Sequence, residues 1–367
     1  VISEREPEGE PSAAFAAAEP DDESGGHRSQ VRRSRNAGMP LDPASLVWNR
    51  DERRLRALWR ILAAIVLLAA SFVGFGLLVA PSLGAVRVAL VGFLGTAVAD
   101  VAIVTVAQAA VGTLFVLVVL LAGLLLDRRR LSDFGFRFDR DWWVDFGFGL
   151  ALGAALMTLV FAAELALGWV RVTGTLRAAS GAFLPGFVSA LALFLFVGVY
   201  EELFARGYLL TNVAEGLDGF GPIGRRGAVA VALLLSSAVF GVLHANNPNA
   251  TALSTFNISL AGVFLALGYV LTGELSIPIG LHITWNFFQG AVYGFPVSGL
   301  APFATVVAVE QRGPDLVTGG EFGPEAGFIG AAAIALGSLA IVGWVRWRYG
   351  AVRIDPEVTV PDLRRRG

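Results

Sequence analysis

Cysteine is absent from this 367-residue chain, and so is lysine, because all 28 basic residues are arginine. Without thiols there is no disulfide framework, no thiolate zinc or iron–sulfur site and no cysteine nucleophile. Charge is scarce too, at 16% of residues against the roughly 25% of an ordinary soluble domain. A formal net charge of −2 excludes the strongly basic balance of a nucleic-acid binder. Histidine occurs three times, as His27, His244 and His282. What fills the chain instead is apolar: 55% of residues are hydrophobic, in uncharged runs that reach the roughly 18–20 residues needed to cross a bilayer. Backbone polar groups in lipid must be satisfied within a helix, so the chain reads as an all-α, polytopic membrane protein.

Eight apolar spans are expected, at Ile61–Ala80, Val101–Leu126, Phe146–Trp169, Phe183–Tyr200 with its continuation, Ala228–Leu243, Thr251–Thr272, Ile277–Phe295 and Ala326–Val345. The segment Ser82–Ala99 is apolar but carries Arg87, which suits a surface or re-entrant piece. Arginine alternates along the connections. It collects at 50–60, 127–142, 204–227 and 346–367, and thins to Arg87, Arg171, Arg177 and Arg312 in the others. Positive charge stays on the cytoplasmic side, so an even number of spans with both termini cytoplasmic follows. Residues 1–49 form a polar tail, acidic then basic, whose composition does not support a packed core. The organisation is then a tail (1–49), two helices with their loops (50–126), a membrane core (127–300), and an outer loop with the last span and a basic tail (301–367). The Arg-only usage, with abundant Gly and Ala, fits a GC-rich prokaryote and its cytoplasmic membrane.

A few residues break the apolar rule. The fourth span ends Tyr200-Glu201-Glu202-Leu203-Phe204-Ala205-Arg206, the fifth ends at His244, and the seventh carries His282 and Asn286. Ionisable groups cost about 2.5–3.5 kcal/mol at a helix centre on insertion scales, so each asks for a reason. Glu202 and Arg206 are four apart and can pair on one face, which frees Glu201, about 100° around the helix. His282 and Asn286 are also four apart and share a face. Taken singly, a solvated helix end, a core imidazole or interhelical hydrogen bonding explains each. Together, on successive helices, they suit water activation by a carboxylate beside an imidazole, with an imidazole and an amide for the oxyanion.

Glu201-Glu202-x-x-x-Arg206, Phe240-x-x-x-His244 and His282-x-x-x-Asn286, in that order on separate helices, resemble the CPBP intramembrane proteases. That family includes the type II CAAX prenyl endopeptidases and bacteriocin-processing or immunity proteins. A weaker likeness lies in Arg129-Arg130-Leu131-Ser132-Asp133-Phe134-Gly135-Phe136, and the whole covers about Asp127 to Phe295. The resemblance implies Glu201 as general base with His244 beside it, His282 and Asn286 at the tetrahedral intermediate, and Glu202 and Arg206 as the supporting pair. It implies an endopeptidase acting on a membrane-associated peptide or protein, either a prenylated tail cut after its modified Cys or a leader peptide, with lipid as the surrounding partner and no nucleic acid. Glu201, His244 and His282 are also the ligand types of a His₂Glu zinc site; a metal-free glutamate mechanism uses the same residues.

Two other classes share these residue types: a transporter or channel with an intramembrane polar path, and a non-catalytic immunity-type membrane protein. Repeats in hydropathy, common in transporters, are not evident. The expected site lies below the cytoplasmic surface and is reached through a polar cavity. His244 falls late in the fifth span, so convergence with Glu201 requires the fourth helix to continue through Leu203–Val213, the fifth helix to begin outside the hydrocarbon, or the Asn246-Asn247-Pro248-Asn249 break to lie within the protein interior.

Overall fold

The computed structural model describes residues 43–179, 183–218, 223–355 and 358. His27 and most of the N-terminal tail lie outside them. Ala44–Val47 makes one helical turn. In the unit that begins at Trp48, Trp48–Asn49 pairs antiparallel with Arg54–Leu55, and the helices follow: α1 (Ala57–Leu78), α2 (Ala80–Leu94), α3 (Thr96–Asp127), α4 (Arg140–Ala166), α5 (Phe183–Leu217), α6 (Gly224–Leu243), α7 (Ala252–Thr272), α8 (Ser276–Phe287) and α9 (Phe328–Tyr349). Two strands, β1 (Val170–Ala178) and β2 (Ala304–Gln311), pair antiparallel beyond the helix ends.

Among the described residues seven helices, all but α2 and α8, are long and apolar enough to cross a membrane. The chain is an integral membrane protein of all-α class. The exception among the eight expected spans is Ile277–Phe295. It is a helix of 12 residues continued by a five-residue π turn, Phe288–Val292. Length is not required of it, because nearly every residue from Ser276 to Trp285 is buried among its neighbours. It still carries the chain from one end of the bundle to the other. Leu275 N donates to Gly135 O beside the Arg-rich loop, while Thr305 Oγ1, in β2, donates to Val292 O. The short α2 is largely exposed, with Phe93 at 88%, and pairs Arg87 with Asp100.

α8 is the central element, and glycine sets its position. A Cβ on Gly149 would meet the Ile277 carbonyl, one on Gly153 the Leu281 carbonyl, and one on Gly280 the Phe146 carbonyl. This is close backbone approach through small residues, the means by which helices pack in lipid. Thr284 Oγ1 adds a bond to Leu150 O at 2.8 Å. Gly198 on α5 gives α8 its second close approach, because a Cβ there would stand 2.6 Å from Ile283 Cγ1. Gly280→Val is therefore expected to overpack the α4–α8 seam and destabilise the protein by about 1–3 kcal/mol or more. Gly147→Val, where nothing lies within 4 Å, is expected to leave the melting temperature in detergent unchanged. Equal melting of the two variants would refute this account of the seam.

α5 runs unbroken through Glu201 to Leu217, passing through a π segment at Leu203–Leu210. The fourth span is thus long enough to place Glu201 near its middle, as convergence with His244 demands. At its far end Glu215 accepts from Arg60 Nη2 at 2.8 Å and Arg129 Nη2 at 2.7 Å and also pairs with Arg54. Arg60 Nη1 lies 2.8 Å from Asp127. This cluster fastens α1, α3 and α5 at the Arg-rich end.

Candidate active site

Adjacent on a helix, Glu201 and Glu202 point to different neighbours. Glu202 is fully buried, and its Oε1 accepts from Arg206 Nη1 at 2.8 Å and from His282 Nδ1 at 2.7 Å. Arg206, 1% exposed, donates its other arm to Gly262 O at 2.8 Å and lays its guanidinium 4.6 Å from the Phe240 ring centroid. One ion pair thereby joins α5, α6, α7 and α8. A charge pair this deep needs further partners to offset its desolvation; the Gly262 carbonyl and the Phe240 face supply some of them, while Glu202 Oε2 and Arg206 Nε are buried without a hydrogen-bond partner.

The two imidazoles are oriented in the same way by different acceptors. A carboxylate oxygen only accepts, so His282 Nδ1 carries the hydrogen toward Glu202. A backbone carbonyl only accepts, so His244 Nδ1 carries the hydrogen donated to Phe240 O at 2.8 Å. Each ring then presents Nε2, and both Nε2 atoms stand 3.9 Å from Glu201 Oε2. That separation exceeds a hydrogen bond. Glu201 Oε2 is itself buried without a hydrogen-bond partner.

These groups open on a cavity of about 790 Å³. Asn286 lines it one turn beyond His282, so all three expected motif pairs reach one locus. Its walls are mainly apolar, among them Phe194, Phe204, Leu243 and Phe303, which differs from the polar passage expected from the sequence. Asn247, Val297, Ser298 and Leu300–Phe303 line it at the end of the bundle opposite the Arg-rich loops, and Phe204, Ala205 and Leu209 line it on the other side of Glu201. Five polar side chains in the lining carry no role in the sequence reading: Gln108, Tyr200, Ser236, Ser298 and Glu325. Gln108 could have been found, as the lone amide in an otherwise apolar span. Glu325 could not, because nothing local marks it. It is buried in a turn before α9, accepts from Ser298 N at 2.5 Å and from Gln289 Nε2, and burial pushes its carboxyl up to about 7. It holds the Val297–Phe303 segment to the π turn that follows α8. Asn247 Nδ2 donates to Ser298 O at 3.1 Å, which ties the same segment to the turn that follows His244.

Among the described residues no group of three or more His, Cys, Asp or Glu side chains is arranged to hold a metal ion. The zinc site the residue types would suit is not assembled in this geometry.

No curated protein and no solved structure matches the chain. Residues 183–288 match the family model for the type II CAAX prenyl endopeptidase Rce1-like proteins; that stretch carries all seven motif positions, and the match is consistent with a CPBP family intramembrane protease.

Proposed function

We propose that the protein is an intramembrane endopeptidase that hydrolyses a peptide bond of a membrane-associated substrate with water activated at Glu201. The observation that carries this is the convergence of two imidazole Nε2 atoms on one carboxylate oxygen at equal distances of 3.9 Å. A water held about 2.8 Å from each of the three atoms spans such a gap. Glu201 takes its proton as the oxygen attacks the carbonyl carbon, and the same carboxyl returns it to the leaving amine. His244 Nε2 fixes the water. His282 presents Nε2 to the developing oxyanion, held in that orientation by the Glu202 carboxylate at Nδ1, and the Asn286 amide adds a donor. Arg206 holds Glu202 in place. The apolar walls admit a hydrocarbon anchor beside the scissile bond and exclude bulk water from it.

The test is cleavage by the purified full chain in detergent, with peptides carrying prenyl, acyl or transmembrane anchors and new termini read by mass spectrometry. One scissile position above the Glu201→Ala background is expected. The same assay with a strong chelator, with and without added zinc, separates the two hydrolytic routes: an unchanged rate supports water on glutamate, and a loss restored by zinc overturns it. No new terminus with any anchor overturns the protease reading.

A further inference from the structure

Glu201 shares the cavity with a second unpaired acceptor. Among the described residues, two side chains that line the cavity hold a buried oxygen with no hydrogen-bond partner: Glu201 and Gln108. Other polar groups of the lining are occupied. Ser236 Oγ donates to Leu233 O, Asn247 Nδ2 to Ser298 O, and Glu325 accepts from Ser298 N. Gln108 is the single side-chain amide of α3. An amide that serves to join helices in lipid has a partner on the neighbouring helix, and a buried carbonyl left without one is destabilising. The Gln108 oxygen has no such structural use.

Its distance from the catalytic carboxylate follows from the way α3 and α5 run side by side. Thr105 Oγ1 donates to Ser189 Oγ at 2.8 Å, and a Cβ on Gly112 would stand 2.8 Å from Phe196 Cδ1. Both pairs are 84 residues apart, so the two helices are parallel and keep one register. Gln108 is then level with Ala192, nine residues along α5 from Glu201, which is about 14 Å of helix. An extended peptide rises about 3.3 Å per residue, so roughly four residues of a bound segment span that interval. At the level of Gln108, α5 gives the wall Leu193, Phe194 and Val197, which offer a peptide no polar side chain. Backbone groups brought into such surroundings need partners. A side-chain amide presents an acceptor and a donor together, the complement of one peptide N–H and one peptide carbonyl. A hydrocarbon chain supplies neither, and a carboxylate supplies no donor for Oε1.

We propose that Gln108 is a substrate-binding residue whose side-chain amide pairs with a main-chain peptide unit of the bound segment, about four residues from the bond that is cut. It recognises backbone rather than side chain, and so holds the segment in an extended form without selecting its sequence. This rests on the endopeptidase reading for the position of the scissile bond; the pairing with a peptide does not depend on it.

Gln108→Leu in the full chain separates this role from packing. With the orphaned carbonyl gone, the melting temperature in detergent is expected to equal or exceed that of the wild type. KM for the anchored peptides is expected to rise about ten-fold, the contribution of about one hydrogen bond, with the change falling on KM rather than kcat. An unchanged KM overturns the proposal. Peptides shortened to about two residues on one side of the scissile bond, and then on the other, locate the contact. The difference between wild type and Gln108→Leu is expected to vanish in one of the two series, and a difference that persists in both overturns the proposal. A second arm reads binding without cleavage, as fluorescence anisotropy of labelled prenyl-, acyl- and transmembrane-anchored peptides on Glu201→Gln with and without Gln108→Leu. If no peptide is cut by the wild type while Gln108→Leu still weakens binding about ten-fold, the peptide subsite stands and the protease reading fails. If peptides are cut and Gln108→Leu alters neither KM nor binding, the protease reading stands and the subsite fails. Binding of none of the peptides overturns both.

Discussion

Glu201→Gln is expected to lower kcat/KM by about 10²–10⁴-fold, the usual worth of a general base, while leaving the melting temperature in detergent essentially unchanged. The separation of the two effects comes from geometry. Glu201 makes no direct hydrogen bond to the protein, standing 3.9 Å from both imidazoles, so an amide of the same shape disturbs no packing. It does remove the one group able to accept the water's proton. In energy the loss is about 3–5 kcal/mol of transition-state stabilisation. Glu201→Asp keeps the carboxylate but withdraws it by one methylene, and an intermediate rate is expected. Single-turnover cleavage beside a thermal melt reads both quantities. A Gln variant that retains more than a tenth of the wild-type rate would falsify the assignment of Glu201.

Glu202→Ala is expected to do the reverse and strike the fold first. It leaves Arg206, buried at 1% exposure, without its counter-charge. Breaking a buried pair in this way typically costs about 3–5 kcal/mol. The same change frees His282 Nδ1, so its ring loses the acceptor that orients Nε2. Glu202→Gln retains an acceptor for one of the two donors. It is expected to melt closer to wild type yet still to lose kcat at little-changed KM, because the amide can turn its NH₂ toward Nδ1 and no longer fixes the tautomer and orientation of the ring. Such a split marks a positioning role. A Gln variant with wild-type kcat would show that Glu202 serves only the ion pair.

The residues of the candidate site were legible because lipid makes polar groups conspicuous. Glu201, Glu202, Arg206, His244, His282 and Asn286 stood out against uncharged helices, and their i, i+4 spacings already specified which could share a face. The long α5 was foreseen as a condition for convergence. Three things were not legible. The seventh apolar run is a buried short helix because glycines at 149, 153 and 280 draw it against α4, and a hydropathy run does not reveal its neighbours. The strand pair was overlooked although Val170-Arg171-Val172-Thr173 alternates, since a nine-residue strand beside much longer apolar runs is easily taken for a loop. The depth of the site depends on how the helices are staggered. Stagger is set by contacts such as Ala57 on Gly216, which no periodicity encodes.

The Glu215 cluster also bears on how the chain is made. Arg54 and Glu215 are 161 residues apart, and Arg60 and Glu215 are 155 apart. During synthesis the first helix must therefore enter the bilayer long before the carboxylate that clamps it exists. Its arginines can wait at the membrane surface in water, so insertion incurs little penalty; Asp127 can pair with Arg60 once α3 is made, but the carboxylate that joins Arg54, Arg60 and Arg129 comes only with the fourth traverse. Completion of α5 is then the event that gathers α1 and α3, and the same helix delivers Glu201 and Glu202. Assembly of the bundle and emplacement of its carboxylates are one step in biogenesis.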